Sequence, residues 1–107
     1  MTRTNHTDRD AYVRTVIDLY RKHPHTTGRA RKADRRLAQS LFELRVAITT
    51  IEQAMALAEA RRPSTHMPVE QIQSLHYFFN TIREIHFHPI ENDYYQYLKR
   101  RRLHQRS

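Results

Sequence analysis

No cysteine occurs anywhere in the chain, which removes a disulfide framework, a thiolate metal site and a thiol nucleophile at once. A single glycine, Gly28, in 107 residues excludes the P-loop and the dinucleotide fingerprint, each of which needs several. No apolar run approaches the roughly 18 residues of a membrane span. The opening "MTRTNHTDRD" lacks the hydrophobic stretch of a secretory signal. Ser40, Ser64, Ser74 and Ser107 stand in no recognisable nucleophile context. These absences lead to the expectation of a soluble, cytoplasmic, non-enzymatic protein that needs no cofactor. The length fits one small domain, residues 1–107, with a flexible N-terminus at 1–7 and a frayed basic tail at 103–107.

What is present is positive charge, and it is unevenly placed. The formal net charge is +8. Residues 1–36 hold ten Arg and Lys against four acids, residues 37–97 four against seven, and residues 98–107 five against none. Cations at both ends of a mildly acidic middle point to a polyanionic partner rather than to general solubility. Sixteen of the nineteen cations are arginine, whose planar fork matches phosphate oxygens. A genome rich in arginine codons gives the same ratio.

Gly28 and the four prolines fall between periodic stretches, which predicts about five helices, no sheet and a compact all-α bundle. The first helix spans 8–22, capped by Thr7 or Asp8, with Val13, Val16, Ile17 and Tyr20 as its inner stripe. The second spans 29–44, with Ala30, Ala33, Leu37, Leu41 and Leu44 on one face. Arg29, Arg31, Lys32, Arg35 and Arg36 lie on the other. The third opens on a capping box, "TTIE" at 49–52, and buries Ile51, Ala54, Met55 and Ala58. "PSTHMP" at 63–68 is a loop. The fourth begins at Pro68 or Val69 and gathers Ile72, Leu75, Phe78, Phe79, Ile82, Ile85 and His86 in one apolar arc. The fifth runs from Asn92 or Asp93 to Arg102, docking through Tyr94, Tyr97 and Leu98 and leaving Tyr95 the freest of its tyrosines.

The pattern offers several binding readings. "LAQSLFELRVAITTIEQAM" has the apolar spacing of a candidate helix-turn-helix, although Arg45 stands where that turn takes glycine. The alternative is an ordinary helical hairpin. The basic face of the second helix is a phosphate-contacting surface or a solvated charged face. Arg61 and Arg62 at the far end of the third helix, and Lys99, Arg100, Arg101 and Arg102 in "YYQYLKRRRLHQRS", extend the candidate set. Aromatics beside cations suit single-strand binding, whereas the segment lacks the apolar face of a membrane-surface helix.

Three resemblances bear on function. "HFH" at 86–88 followed by "YYQY" resembles the arrangement of HUH-type single-strand nucleases. That likeness implies a metal held by His86 and His88, with Tyr94 or Tyr95 as nucleophile. Read as a whole, "TTGRARKADRRLAQSLFELRVAITTIEQAMALAEARR…IQSLHYFFNTIREI" resembles small, largely uncharacterised all-helical proteins of bacterial mobile elements. "SLHYFFNTI" at 74–82 is similar to part of the DnaD-type primosomal helical domain, which implies DNA binding and self-association around replication or transposition. The resulting expectation is an accessory subunit of a mobile-element or defence nucleoprotein complex. It would bind DNA or RNA largely independently of sequence, with a protein partner and a capacity to form homo-oligomers. The alternatives are an adaptor docking an acidic protein and the HUH-like nuclease.

Overall fold

Val13, Val16, Ile17 and Tyr20 form the inner face of the first helix, α1 (His6–Lys22), and all four are buried as their spacing predicts. The computed structural model describes the backbone of residues 6–62 and 71–105 and the side chains of 8–62 and 71–100. The loop expected at 63–68, the helix start expected at Pro68 or Val69, and most of the 1–7 segment lie outside the described residues. Four helices follow: α2 (Lys32–Glu43), α3 (Ile48–Arg61), α4 (Phe79–Phe87) and α5 (Asn92–Gln105), with a 3₁₀ turn (Leu75–Phe78) leading into α4. No strand forms among the described residues, so the chain is an all-α bundle.

The hub is α3, which packs against α1, α4, α5 and the 3₁₀ turn, while α2 lies on α1 and the turn. Alanine suits that place, because it has the best helix propensity and lets neighbours approach closely. Ala54, Ala56 and Ala58 are buried on α3 beside Ile51, Met55 and Leu57. Its start differs from the expected capping box. The N-cap is Ala47, without a side-chain cap, and Thr49 already lies inside the helix. The reason is in the preceding turn. Leu44 caps α2, and Arg45 takes the left-handed conformation at φ 60°. The Val46 amide bonds the Leu41 carbonyl at 3.0 Å, and the Arg45 amide bonds that of Phe42 at 3.0 Å. This is a Schellman motif, completed by burial of Val46 against the α2 side. Once Val46 is anchored, the chain turns helical before a Thr49 cap could act.

Arginine in a left-handed position crowds its Cβ against the following carbonyl, at about 1–2 kcal/mol. Arg45→Gly relieves this but loosens the unfolded chain. The net expectation is a gain of about 0.5–1 kcal/mol, read as a higher urea midpoint at unchanged slope. An unchanged or lower midpoint contradicts the strain.

The second helix is shorter and rotated relative to the sequence pattern. It begins at Lys32, and its buried line is Asp34, Leu37, Ala38 and Leu41. Ala33 is exposed, and Leu44, at 58% exposure, sits past the helix end. A carboxylate on the inner line makes this register hard to foresee. The Asp34 side chain, 1% exposed, reaches back to its own helix start, where Oδ2 accepts the Arg31 amide at 2.8 Å. Its Oδ1 accepts the Ser74 hydroxyl at 3.0 Å and the Leu75 amide at 2.9 Å. One carboxylate therefore satisfies orphan donors at the starts of two helical elements.

That carboxylate also corrects the fourth helix. Residues 71–74 are not helical. Ile72 pairs with the α1–α2 loop, donating to the His25 carbonyl at 2.7 Å and accepting the Thr27 amide at 3.3 Å. Ser74 caps the 3₁₀ turn by accepting the His76 amide at 3.1 Å. The apolar arc survives, since Ile72, Leu75, Phe78, Ile82 and Ile85 are all buried and Phe79 packs beside them, but three local geometries carry it.

Tyr12 joins α1 to the α2–α3 turn. Its hydroxyl donates to the Val46 carbonyl at 2.6 Å, and its ring meets Phe42 edge-on at 5.3 Å. Burial pushes its hydroxyl from 10.0 up to about 12. The fold prefers the neutral phenol, so the associated stability is complete below the unfolded value of 10.0 and is lost as pH rises through about 12. Tyr20 is raised in the same direction, first by burial and then by Asp34. Tyr12→Phe should therefore flatten, without abolishing, the alkaline fall in melting temperature over that window. An identical pH profile for the variant would show that Tyr12 does not drive it.

Candidate nucleic-acid interface

The α1–α2 loop sets the cations in place. Thr26 donates its hydroxyl to the Tyr20 and His23 carbonyls at 3.0 Å each and accepts the Gly28 amide at 3.3 Å. Gly28 then takes φ 78°, the left-handed region that glycine enters without penalty. Arg21 closes the loop by donating to the Gly28 carbonyl at 3.1 Å. Arg29 and Arg31 consequently lie on this loop and not on the helix, where the sequence pattern puts them. Lys32, Arg35 and Arg36 follow on the outer side of α2, opposite Asp34, Leu37, Ala38 and Leu41.

All five side chains are exposed. None has an ion-pair partner among the described residues, whose acids are engaged elsewhere or lie apart. The arrangement is electrostatically unfavourable to the chain itself. Lys32 is three and four residues from Arg35 and Arg36 on one helix face, where like charges repel. The cations also crowd a helix N-terminus, whose dipole already favours negative charge.

The other candidates behave differently. Arg61 is committed to the chain's own carboxylate, its fork meeting Glu84 at 2.8 and 2.7 Å. That hydrogen bond holds the Glu84 carboxyl below its ordinary value. Arg62 lies over the Tyr77 ring at 5.7 Å and donates to its hydroxyl at 3.5 Å. Both sit at the C-terminal end of α3. On α5, Lys99 covers the Tyr95 ring at 5.3 Å and Arg100 is exposed. Arg101 and Arg102 continue the helix, with side chains outside the described residues. Because α5 packs on α3 and α2 on α1, packing does not join the two basic segments.

The tyrosines of α5 exchange their expected roles. Tyr95 is half-buried against the core beside Leu98, three residues on. Tyr94 and Tyr97 are 46% and 50% exposed. The helix continues to Gln105, past the expected end at Arg102.

Two further readings meet the geometry. Arg45 does adopt the left-handed conformation of the helix-turn-helix glycine position, yet α3 is the helix most enclosed by neighbours. His86 lies half-buried in the last turn of α4, and His88 is its exposed C-cap. His88 has already left the helix, at φ −136° and ψ 78°. The HUH arrangement needs both on one strand of a sheet, and no strand forms among the described residues.

One cluster escaped sequence reasoning. His25 meets Glu59 of α3 at 2.9 Å, and His23 meets the other oxygen of the same carboxylate at 3.4 Å. The His23 Nδ1 accepts the His25 amide at 3.2 Å, turning Nε2 toward Glu59. His23 and His25 flank Pro24, but their partner is remote in sequence. These contacts tie the α1–α2 loop to α3, and no group of three His, Asp or Glu among the described residues is arranged to hold a metal ion.

No family model, no curated protein and no solved structure matches this chain. The likenesses to mobile-element proteins and to the DnaD-type domain therefore rest on the quoted residues alone.

Proposed function

We propose that this chain is a nucleic-acid-binding accessory protein that grips the phosphate backbone through Arg29, Arg31, Lys32, Arg35 and Arg36. The supporting observation is that all five are exposed, with no ion-pair partner among the described residues. Helix physics disfavours that arrangement, and a polyanion relieves it. Arg61 and Arg62 leave the contact set because their side chains are already engaged. The resemblance to mobile-element proteins suggests a place in a nucleoprotein complex of that kind.

Titrating random-sequence DNA and RNA against salt tests the reading. Micromolar binding with a steep log–log salt dependence supports it. No binding at low salt removes it and leaves the docking of an acidic protein as the use of the same surface.

A further inference from the structure

We propose that Tyr94 and Tyr97 form a stacking ledge for unpaired bases, so that α5 is selective for single-stranded nucleic acid. This rests on the nucleic-acid reading above but concerns a different helix. The two rings lie one turn apart, nearly parallel at 21°, with centroids 6.2 Å apart. They are about half exposed, because Tyr95 and Leu98 carry the docking of α5 on α3. Two large aromatics are thus left half exposed beside each other, at no evident benefit to the core. Exposed Lys99 and Arg100 follow within a turn, and residues 98–107 contain five cations and no acid. Rings that offer π-faces beside cations that hold phosphate are what a single strand requires. A duplex keeps its base faces inside its own stack and offers the ledge nothing. The match is also sequence-tolerant, since every base has a π-face.

The test uses the full-length protein with labelled oligo(dT) and oligo(rU) of about 20 nucleotides, a length that covers a typical single-strand site, and a duplex of equal length. The Tyr94→Ala/Tyr97→Ala variant should lose single-strand affinity by roughly tenfold per ring removed while its duplex affinity stays unchanged. Tyr94→Phe/Tyr97→Phe should bind like the parent, because stacking uses the ring and not the hydroxyl. An unchanged far-UV circular dichroism spectrum of the alanine variant shows that its helix is intact. Comparing the two oligonucleotides separates DNA from RNA as the source of the bases. An alanine variant that loses nothing, or that loses strand and duplex equally, overturns the ledge and leaves the phosphate reading standing. A parent protein that binds none of the three overturns both.

Discussion

Asp34→Ala is expected to lower the unfolding free energy by about 3 kcal/mol, since it strips the partner from a buried donor and exposes further unmet groups. The Leu75 amide is buried against Oδ1, and the Ser74 hydroxyl and Arg31 amide are partly buried. An unpaired buried donor costs about 1–3 kcal/mol, more than the net worth of the bond itself. Out of a total stability of about 5–15 kcal/mol this is a large fraction, and the melting temperature should fall on the order of 15 °C.

Asp34→Asn refines the expectation. Its amide oxygen can still accept the Leu75 amide, but its NH₂ group then faces the Arg31 amide, donor against donor. About half the loss should remain. Amide hydrogen exchange separates the two arms. In the asparagine variant, protection should drop at Arg31 and persist at Leu75. In the alanine variant it should drop at both. Ser74→Ala combined with Asp34→Ala should cost less than the two single losses added together, because the residues share one hydrogen bond. A loss below about 1 kcal/mol for Asp34→Ala would mean that water replaces the carboxylate, and that the two helix starts are not coupled through it.

The same residue shows where the sequence was legible. The α1 stripe and the α3 stripe could be read because each depends on a local period of 3.6. The apolar arc of residues 72–85 was legible for the same reason. Its conversion from helix to extended segment, 3₁₀ turn and helix was not, because the deciding cap lies 40 residues away on Asp34. The register of α2 failed for a related cause. A helical wheel assigns a carboxylate to the solvent side, and only a tertiary partner brings it inside. Among the candidate cations, Lys32, Arg35 and Arg36 stand as their spacing implies, whereas Arg61 was claimed by Glu84, 23 residues on. Tyrosines at 94, 95 and 97 on α5 gave no periodicity sharp enough to choose the docking face, and the structure selects Tyr95.

Neutralising the α2 surface should move stability and binding in opposite directions. The variant carries Arg31→Gln, Lys32→Gln, Arg35→Gln and Arg36→Gln, with glutamine retaining good helix propensity. It removes like-charge neighbours at three and four residues' spacing and cations from a helix N-terminus. Each such relief is worth a few tenths of a kcal/mol, so the melting temperature should rise by a few degrees at low salt. Binding should collapse. Each lost phosphate contact takes about 0.9 from the log–log salt slope on duplex DNA, so four contacts remove about 3.6. At roughly 0.1 M salt that amounts to about a thousandfold in affinity. A merely solvated charged face predicts the same gain in stability with no change in binding. Equal neutralisation at Lys99, Arg100, Arg101 and Arg102 provides the counterpart, since the two segments sit on helices that do not pack together. If only the α5 variant loses duplex binding, the phosphate grip belongs to α5, and the cations of α2 face water for another reason.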